Sequence, residues 1–102
     1  MNIEITIGNK RHGDTGFYVG RPSPLGNPFE ISRKVTREQA IKLYEEWLRG
    51  RVEAKDPLVL RELARIWEAA VRGPVTLVCW CHPKPCHAEV VKKVLAESLE
   101  SV

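Results

Sequence analysis

In the segment NIEITI (2–7), Ile3, Ile5 and Ile7 alternate with polar neighbours. That period-two pattern predicts a strand with one buried face. A turn-rich stretch, GNKRHGDTG (8–16), separates it from a second short strand at 17–19. Prolines 22, 24 and 28 with Gly20 and Gly26 then exclude helix and regular sheet from GRPSPLGNPF (20–29). Helical periodicity starts at Thr36, where Thr36-x-x-Gln39 forms a capping box. Ala40, Ile41, Tyr44, Trp47 and Leu48 give an apolar stripe at three-four spacing, and Gly50 suits the position just past a helix end. Asp56-Pro57 predicts a second helix, a cap followed by proline in the first turn, with Leu60, Leu63, Ala64, Trp67, Ala70 and Val71 as its core face and Gly73-Pro74 closing it. VTLVCWC (75–81) is nearly all apolar or β-branched, as a strand covered on both faces should be. A last helix over 86–99 buries Val90, Val91, Val94 and Leu95.

The order β-β-α-α-β-α predicts an α/β fold over residues 1–102: a single small domain with a short, largely parallel sheet packed with three helices. It amounts to a Rossmann-like fragment in two or three layers. Ligands of such sheets bind beyond the C-terminal strand ends. Both unusual loops, GRPSPLGNPF and CWCHPKPCH (79–87), follow strands, so both are expected at that edge.

Composition narrows the class. A chain of 102 residues fits one domain with a modest core. It holds no apolar run of the roughly 20 residues a membrane helix needs, and MNIEITIGNKRH lacks the apolar stretch and cleavage site of a signal peptide. The expected compartment is the cytoplasm, and no membrane partner is expected. All three cysteines lie between Cys79 and Cys86, unlike the spread, even-numbered framework of a secreted protein. Net charge is only +3, yet residues 8–37 carry Lys10, Arg11, Arg21, Arg33, Lys34 and Arg37 against Asp14 and Glu30. Such a surplus forms either a solvated basic face or a positive field around an anionic ligand.

The CWCHPKPCH loop collects Cys79, Cys81, His82, Cys86 and His87 within nine residues. Cys79 and Cys81 share one face of the strand. Cys86 and His87 fall at the start of the last helix, where the dipole, reinforced by Lys84, favours a thiolate. Three readings compete. The cysteines are small core residues with His87 as a cap; or Cys79, Cys81, Cys86 and His87 bind zinc, with His12 the one histidine outside the loop that could help; or Cys81 or Cys86 is a reactive thiol with His82 or His87 as proton carrier. Zinc is not the favoured cofactor, because zinc sites usually gather two separated ligand pairs. In the first loop, Arg21 offers a planar fork for phosphate or carboxylate, Ser23 and Asn27 offer hydrogen bonds, and Gly20 and Gly26 permit close approach. The competing reading is a structural loop, with Asn27 bonded to local backbone and Arg21 paired to a carboxylate. No GK[ST] follows, so it is not a P-loop.

YVGRPSPLGNPF together with LVCWCHPKPCHAEVV resembles the domain of unknown function 4326 family, small microbial and phage proteins. The motifs carrying the resemblance are Gly20-Arg21, Gly26 to Phe29, Tyr44 with Trp47, and Cys79, Cys81, Pro83, Cys86 and His87. It implies a fold and a site but no reaction. The expected function is binding of a phosphate-bearing small molecule, a nucleotide or nucleoside derivative, held by Gly20, Arg21, Ser23, Gly26, Asn27 and Lys84. Cys81, Cys86 and His87 would carry any cysteine-dependent chemistry. The alternative is a non-catalytic zinc-bearing module that contacts nucleic acid. Base-stacking aromatics would favour it; Tyr18 is a candidate, whereas Tyr44, Trp47 and Trp67 look like helix core.

Overall fold

A computed structural model describes residues 4–80 and 86–100, with side chains through Glu97. Three strands, β1 (Ile5–Asn9), β2 (Phe17–Tyr18) and β3 (Val75–Cys79), form a sheet of order β1-β3-β2 in which both neighbours run parallel to β3. Ile5 pairs with Val75, Asn9 with Cys79, and Phe17 with Leu77. The three helices are α1 (Arg37–Glu53), α2 (Pro57–Arg72) and α3 (Ala88–Glu100). No helix among the described residues is long and apolar enough to cross a membrane.

Alternation decides how the layers stack. Ile5, Ile7, Val75, Leu77, Cys79 and Phe17 project to one face and join the core formed with all three helices. Residues 10–16, which carry the chain from the end of β1 to the start of β2, cross the opposite face and cover part of it, so that Val78 is buried, Thr76 half-buried and Thr6 exposed. There the Thr6 and Thr76 hydroxyls meet at 3.0 Å. Gly16 presses so close that a Cβ would sit 2.3 Å from the Thr76 carbonyl oxygen, and its φ of 154° disfavours any side chain. The fold is therefore two-layered, with a loop in place of a second helical layer. This explains why β3 reads as buried on both faces.

Two expectations need correcting. Helix α1 does not stop at Gly50 but runs on to Glu53, with Ala54 as C-cap and Lys55 in the left-handed region at φ 59°. Nothing lies within 4 Å of a Cβ placed on Gly50, so the glycine is an exposed interior position costing about 1 kcal/mol of helix propensity rather than a stop. The buried face of α2 is Val59, Leu63, Ile66 and Ala70, with Leu60, Trp67 and Val71 at its margin and Ala64 exposed. Elsewhere the elements form with shifted bounds: β1 runs on to Asn9 rather than ending at residue 7, with Ile3 outside the described residues, β2 ends at Tyr18 rather than 19, β3 at Cys79 rather than 81, and α3 starts at Ala88 rather than 86. The Thr36–Gln39 capping box is formed in both directions, Asp56 caps α2, and Val90, Val91, Val94 and Leu95 are buried in α3.

Candidate functional site

Because all three strands run the same way, the segments after β2 and β3 leave the sheet at one edge. The first segment is fastened to the core. Leu25 is fully buried, and its carbonyl accepts a 2.6 Å hydrogen bond from the hydroxyl of Tyr44, itself fully buried on α1. Burial, with the Cys86 sulfur adding to it, pushes the Tyr44 phenol well above its ordinary value, so it stays a donor. Two successive turns, Ser23 N–H to the Gly20 carbonyl and Gly26 N–H to the Ser23 carbonyl, both at 2.8 Å, fold the loop onto itself. The Ser23 hydroxyl accepts from Leu25 N–H at 3.1 Å. The Asn27 amide donates to the Ala40 carbonyl at 3.3 Å and accepts from Phe29 N–H at 2.8 Å. Gly20 leaves room for the Tyr18 ring, whose hydroxyl donates to the Arg21 carbonyl; a Cβ at Gly20 would lie 2.5 Å from that hydroxyl.

At the second junction, the Cys79 thiol is buried and faces the Gly8 carbonyl at 3.8 Å. Cys86 is buried just ahead of α3, and the Glu89 carboxylate accepts from its backbone N–H at 3.2 Å. That carboxylate takes the positive end of the helix, the place where the sequence led us to expect a thiolate. The imidazole of His87 makes the decisive contact. Its Nε2 lies 2.6 Å from the Val19 carbonyl oxygen. A carbonyl can only accept, so Nε2 carries the proton and the Nδ1 lone pair faces the Cys86 sulfur at 3.4 Å. The ring also packs edge-on against Tyr44, with centroids 5.0 Å apart. Burial, and to a lesser degree the positive charge of Arg21, holds the His87 pKa below its ordinary value, which keeps the ring neutral near pH 7.

His87 thus joins the second loop to Val19, the residue that leads into the first, and a cleft of about 530 Å³ opens between the two loops. Gly20, Arg21, Asn27, Cys79, Cys86 and His87 all line it. Ser23 and Gly26 do not. Ser23 serves a turn, and Gly26 is buried with its N–H in the second turn. Arg21 points its guanidinium at Glu30, 3.0 Å away, and both side chains are well exposed, at 55% and 77%. Cys81, His82 and Lys84 lie outside the described residues. Among the described residues no three His, Cys, Asp or Glu side chains gather as metal ligands. The sequence reading did not name Trp80 or Ile31, and it took Phe29 only as part of a motif and Arg37 only as part of a basic stretch; all four line the cleft. Arg37 carried a usable signal: it is the first residue after the capping threonine of α1, and that helix start proves to be a cleft wall.

The family model described as Domain of unknown function (DUF4326) matches residues 5–97. The chain belongs to that family. The matched span takes in both loops and every cleft residue of this DUF4326 member. No curated protein and no solved structure matches it.

Proposed function

We propose that this cleft binds a phosphate-bearing small molecule, a nucleotide or nucleoside derivative, in the cytoplasm, and that Cys86 and His87 give it the capacity for thiol chemistry. One observation carries the reading: the His87–Val19 contact brings the Arg21 loop and the Cys86-His87 junction onto the same cleft. Arg21 is the anion anchor. Its present partner, Glu30, is an exposed carboxylate, and exposed pairs contribute only about 0–1 kcal/mol, so an incoming phosphate displaces it at little cost. Asn27 lines the wall with an amide that has two N–H groups, one of them given to Ala40. Ser23 falls out of the ligand set, because it is absent from the cleft lining.

For chemistry, the arrangement follows the general logic of an activated nucleophile. A neutral imidazole accepts the Cys86 thiol proton at Nδ1, and a third group, the Val19 carbonyl, fixes the tautomer through Nε2–H. The imidazolium that results keeps its bond to Val19, and the thiolate faces the cleft that Arg21 also lines.

The test is a melting experiment in which sulfate, inorganic phosphate or a mononucleotide is added. At one hundred times Kd, binding stabilises the fold by about 2.7 kcal/mol. Arg21→Ala should abolish the shift while leaving ligand-free stability within about 0.5 kcal/mol, and Arg21→Lys should restore it in part, since an ammonium lacks the bidentate fork. A wild-type protein that no anion stabilises, or an Arg21→Ala variant that responds as wild type does, contradicts the proposal.

A further inference from the structure

Two large apolar side chains of the cleft are exposed, Ile31 at 52% and Trp80 at 48%, and of these the Trp80 indole stands directly after the central strand. It is also held in place. Its Nε1–H donates to the Tyr18 hydroxyl at 3.0 Å, and that hydroxyl donates in turn to the Arg21 carbonyl. The backbone carbonyl of Trp80 accepts from the buried Asn9 amide at 3.4 Å, tying the residue to the end of β1. The Lys10 ammonium sits 4.6 Å from the Tyr18 ring centroid and 6.0 Å from that of Trp80, so the phenol that orients the indole is itself packed. One chain of hydrogen bonds therefore runs from the indole, through Tyr18, to the backbone of the residue that carries the anion anchor.

We infer that Trp80 is a stacking platform for the heterocyclic base of the ligand, oriented by Tyr18 and set beside Arg21 so that one molecule presents its phosphate to the arginine and its base to the indole. An exposed aromatic ring costs hydration, and a fixed one loses little entropy when a flat partner covers it. The bonded edge of the indole is committed to Tyr18, which leaves stacking as its means of recognition. Selection among bases is then weak, because every base has a π-face; selection for a base over a bare sugar phosphate is strong. The inference rests on the proposed phosphate site but can fail separately from it.

Binding of three probes separates the two ideas: adenosine 5′-monophosphate, ribose 5-phosphate and adenosine, each followed by tryptophan fluorescence and calorimetry. The monophosphate should bind at least about tenfold more tightly than ribose 5-phosphate and quench fluorescence, with the quenching lost in Trp80→Ala. That variant should bind ribose 5-phosphate as wild type does, Trp80→Phe should keep part of the preference, and Tyr18→Phe should reduce it by releasing the indole edge. If adenosine quenches Trp80 while ribose 5-phosphate fails to bind, the platform stands and the phosphate site falls. Should ribose 5-phosphate bind as tightly as the monophosphate, or Trp80→Ala weaken both equally, the platform is wrong and the phosphate site survives. If none of the three binds, both are wrong.

Discussion

Two arginines, each paired with carboxylate, sit in different regions of this molecule and play different parts. On the helical layer, Arg49 of α1 takes Glu97 of α3 with both ends of its guanidinium, at 2.8 and 3.1 Å, and Glu45 of its own helix with Nε at 2.9 Å. These bonds hold Glu45 and Glu97 below the usual carboxylate range and raise Arg49 further, so the fold itself has saturated this fork. At the sheet edge, Arg21 meets Glu30 with a single nitrogen, within one loop, beside an open cleft. The difference shows what separates a structural ion pair from a binding group. Arg49 joins two elements and has all three of its nitrogens bonded to carboxylate, while Arg21 spends one nitrogen on an exposed residue nearby in the chain and retains most of its fork for a ligand.

The contrast breaks most visibly at Tyr44, which belongs to both regions: its ring is in the helical core, and its hydroxyl and edge hold Leu25 and His87 at the cleft. Tyr44→Ala should cost about 3–5 kcal/mol in denaturant unfolding, as large aromatic truncations do. Tyr44→Phe keeps the ring but strands the buried Leu25 carbonyl, at about 1–3 kcal/mol, and should weaken anion binding because the loop loses its anchor to α1. An unchanged anion affinity in Tyr44→Phe would show that the loop is held by its turns alone.

A pH series sharpens the comparison next. Burial depresses the His87 pKa below its ordinary value of 6.5, so between that value and the folded one the unfolded chain binds a proton that the native ring resists. Its contribution is complete above 6.5 and is lost as pH falls through the depressed folded value. Glu45 and Glu97 are also depressed, but their contributions are complete above 4.5, so the loss that sets in as pH falls below 6.5 belongs to the cleft rather than to the helical pairs. His87→Gln, which retains a donor for Val19, should flatten stability across that interval. A slope that survives His87→Gln would place the titrating group elsewhere.

The smallest expected effects come from the carboxylates themselves. Glu30→Gln removes the internal competitor of Arg21 and should tighten sulfate binding a few-fold, consistent with the roughly 0–1 kcal/mol of an exposed pair. Arg49→Ala should lower stability modestly, less so in high salt, and leave sulfate affinity unchanged. Equal responses in calorimetry would erase the distinction between the two arginines.

Much of this architecture is legible in the chain because local signals agree with the packing. The Thr36–Gln39 box, the Asp56-Pro57 cap, the apolar run of β3 and the stripe of α3 each name their element, and parallel strands then oblige both loops to share an edge. The phase of α2 was not legible, since Leu58, Val59 and Leu60 are consecutive and Leu58 turns out 59% exposed; a wide apolar arc fits more than one core face. Gly50 misled because a glycine inside an exposed helix looks the same in sequence as one that ends it. At the site, Arg21, Cys86 and His87 were legible as chemistry. Ser23 and Asn27 were not separable from loop scaffolding, because the groups that would donate to a ligand are the groups that satisfy a tight turn. Trp80 was hidden by its setting, since an apolar residue at the end of an apolar strand gives no sign that it leaves the core.

The central claim is that Arg21 and the Cys86–His87 pair face one bound anion. It is tested most directly by following the His87 ring nitrogens by NMR across a pH titration, with and without saturating sulfate, which stays dianionic throughout. Sulfate on Arg21 should neutralise the positive charge that helps hold His87 down and should raise its pKa toward 6.5, and Arg21→Ala should remove the response. Saturable sulfate binding that leaves the His87 titration where it was would contradict the account, because the anion would then be bound somewhere other than this cleft.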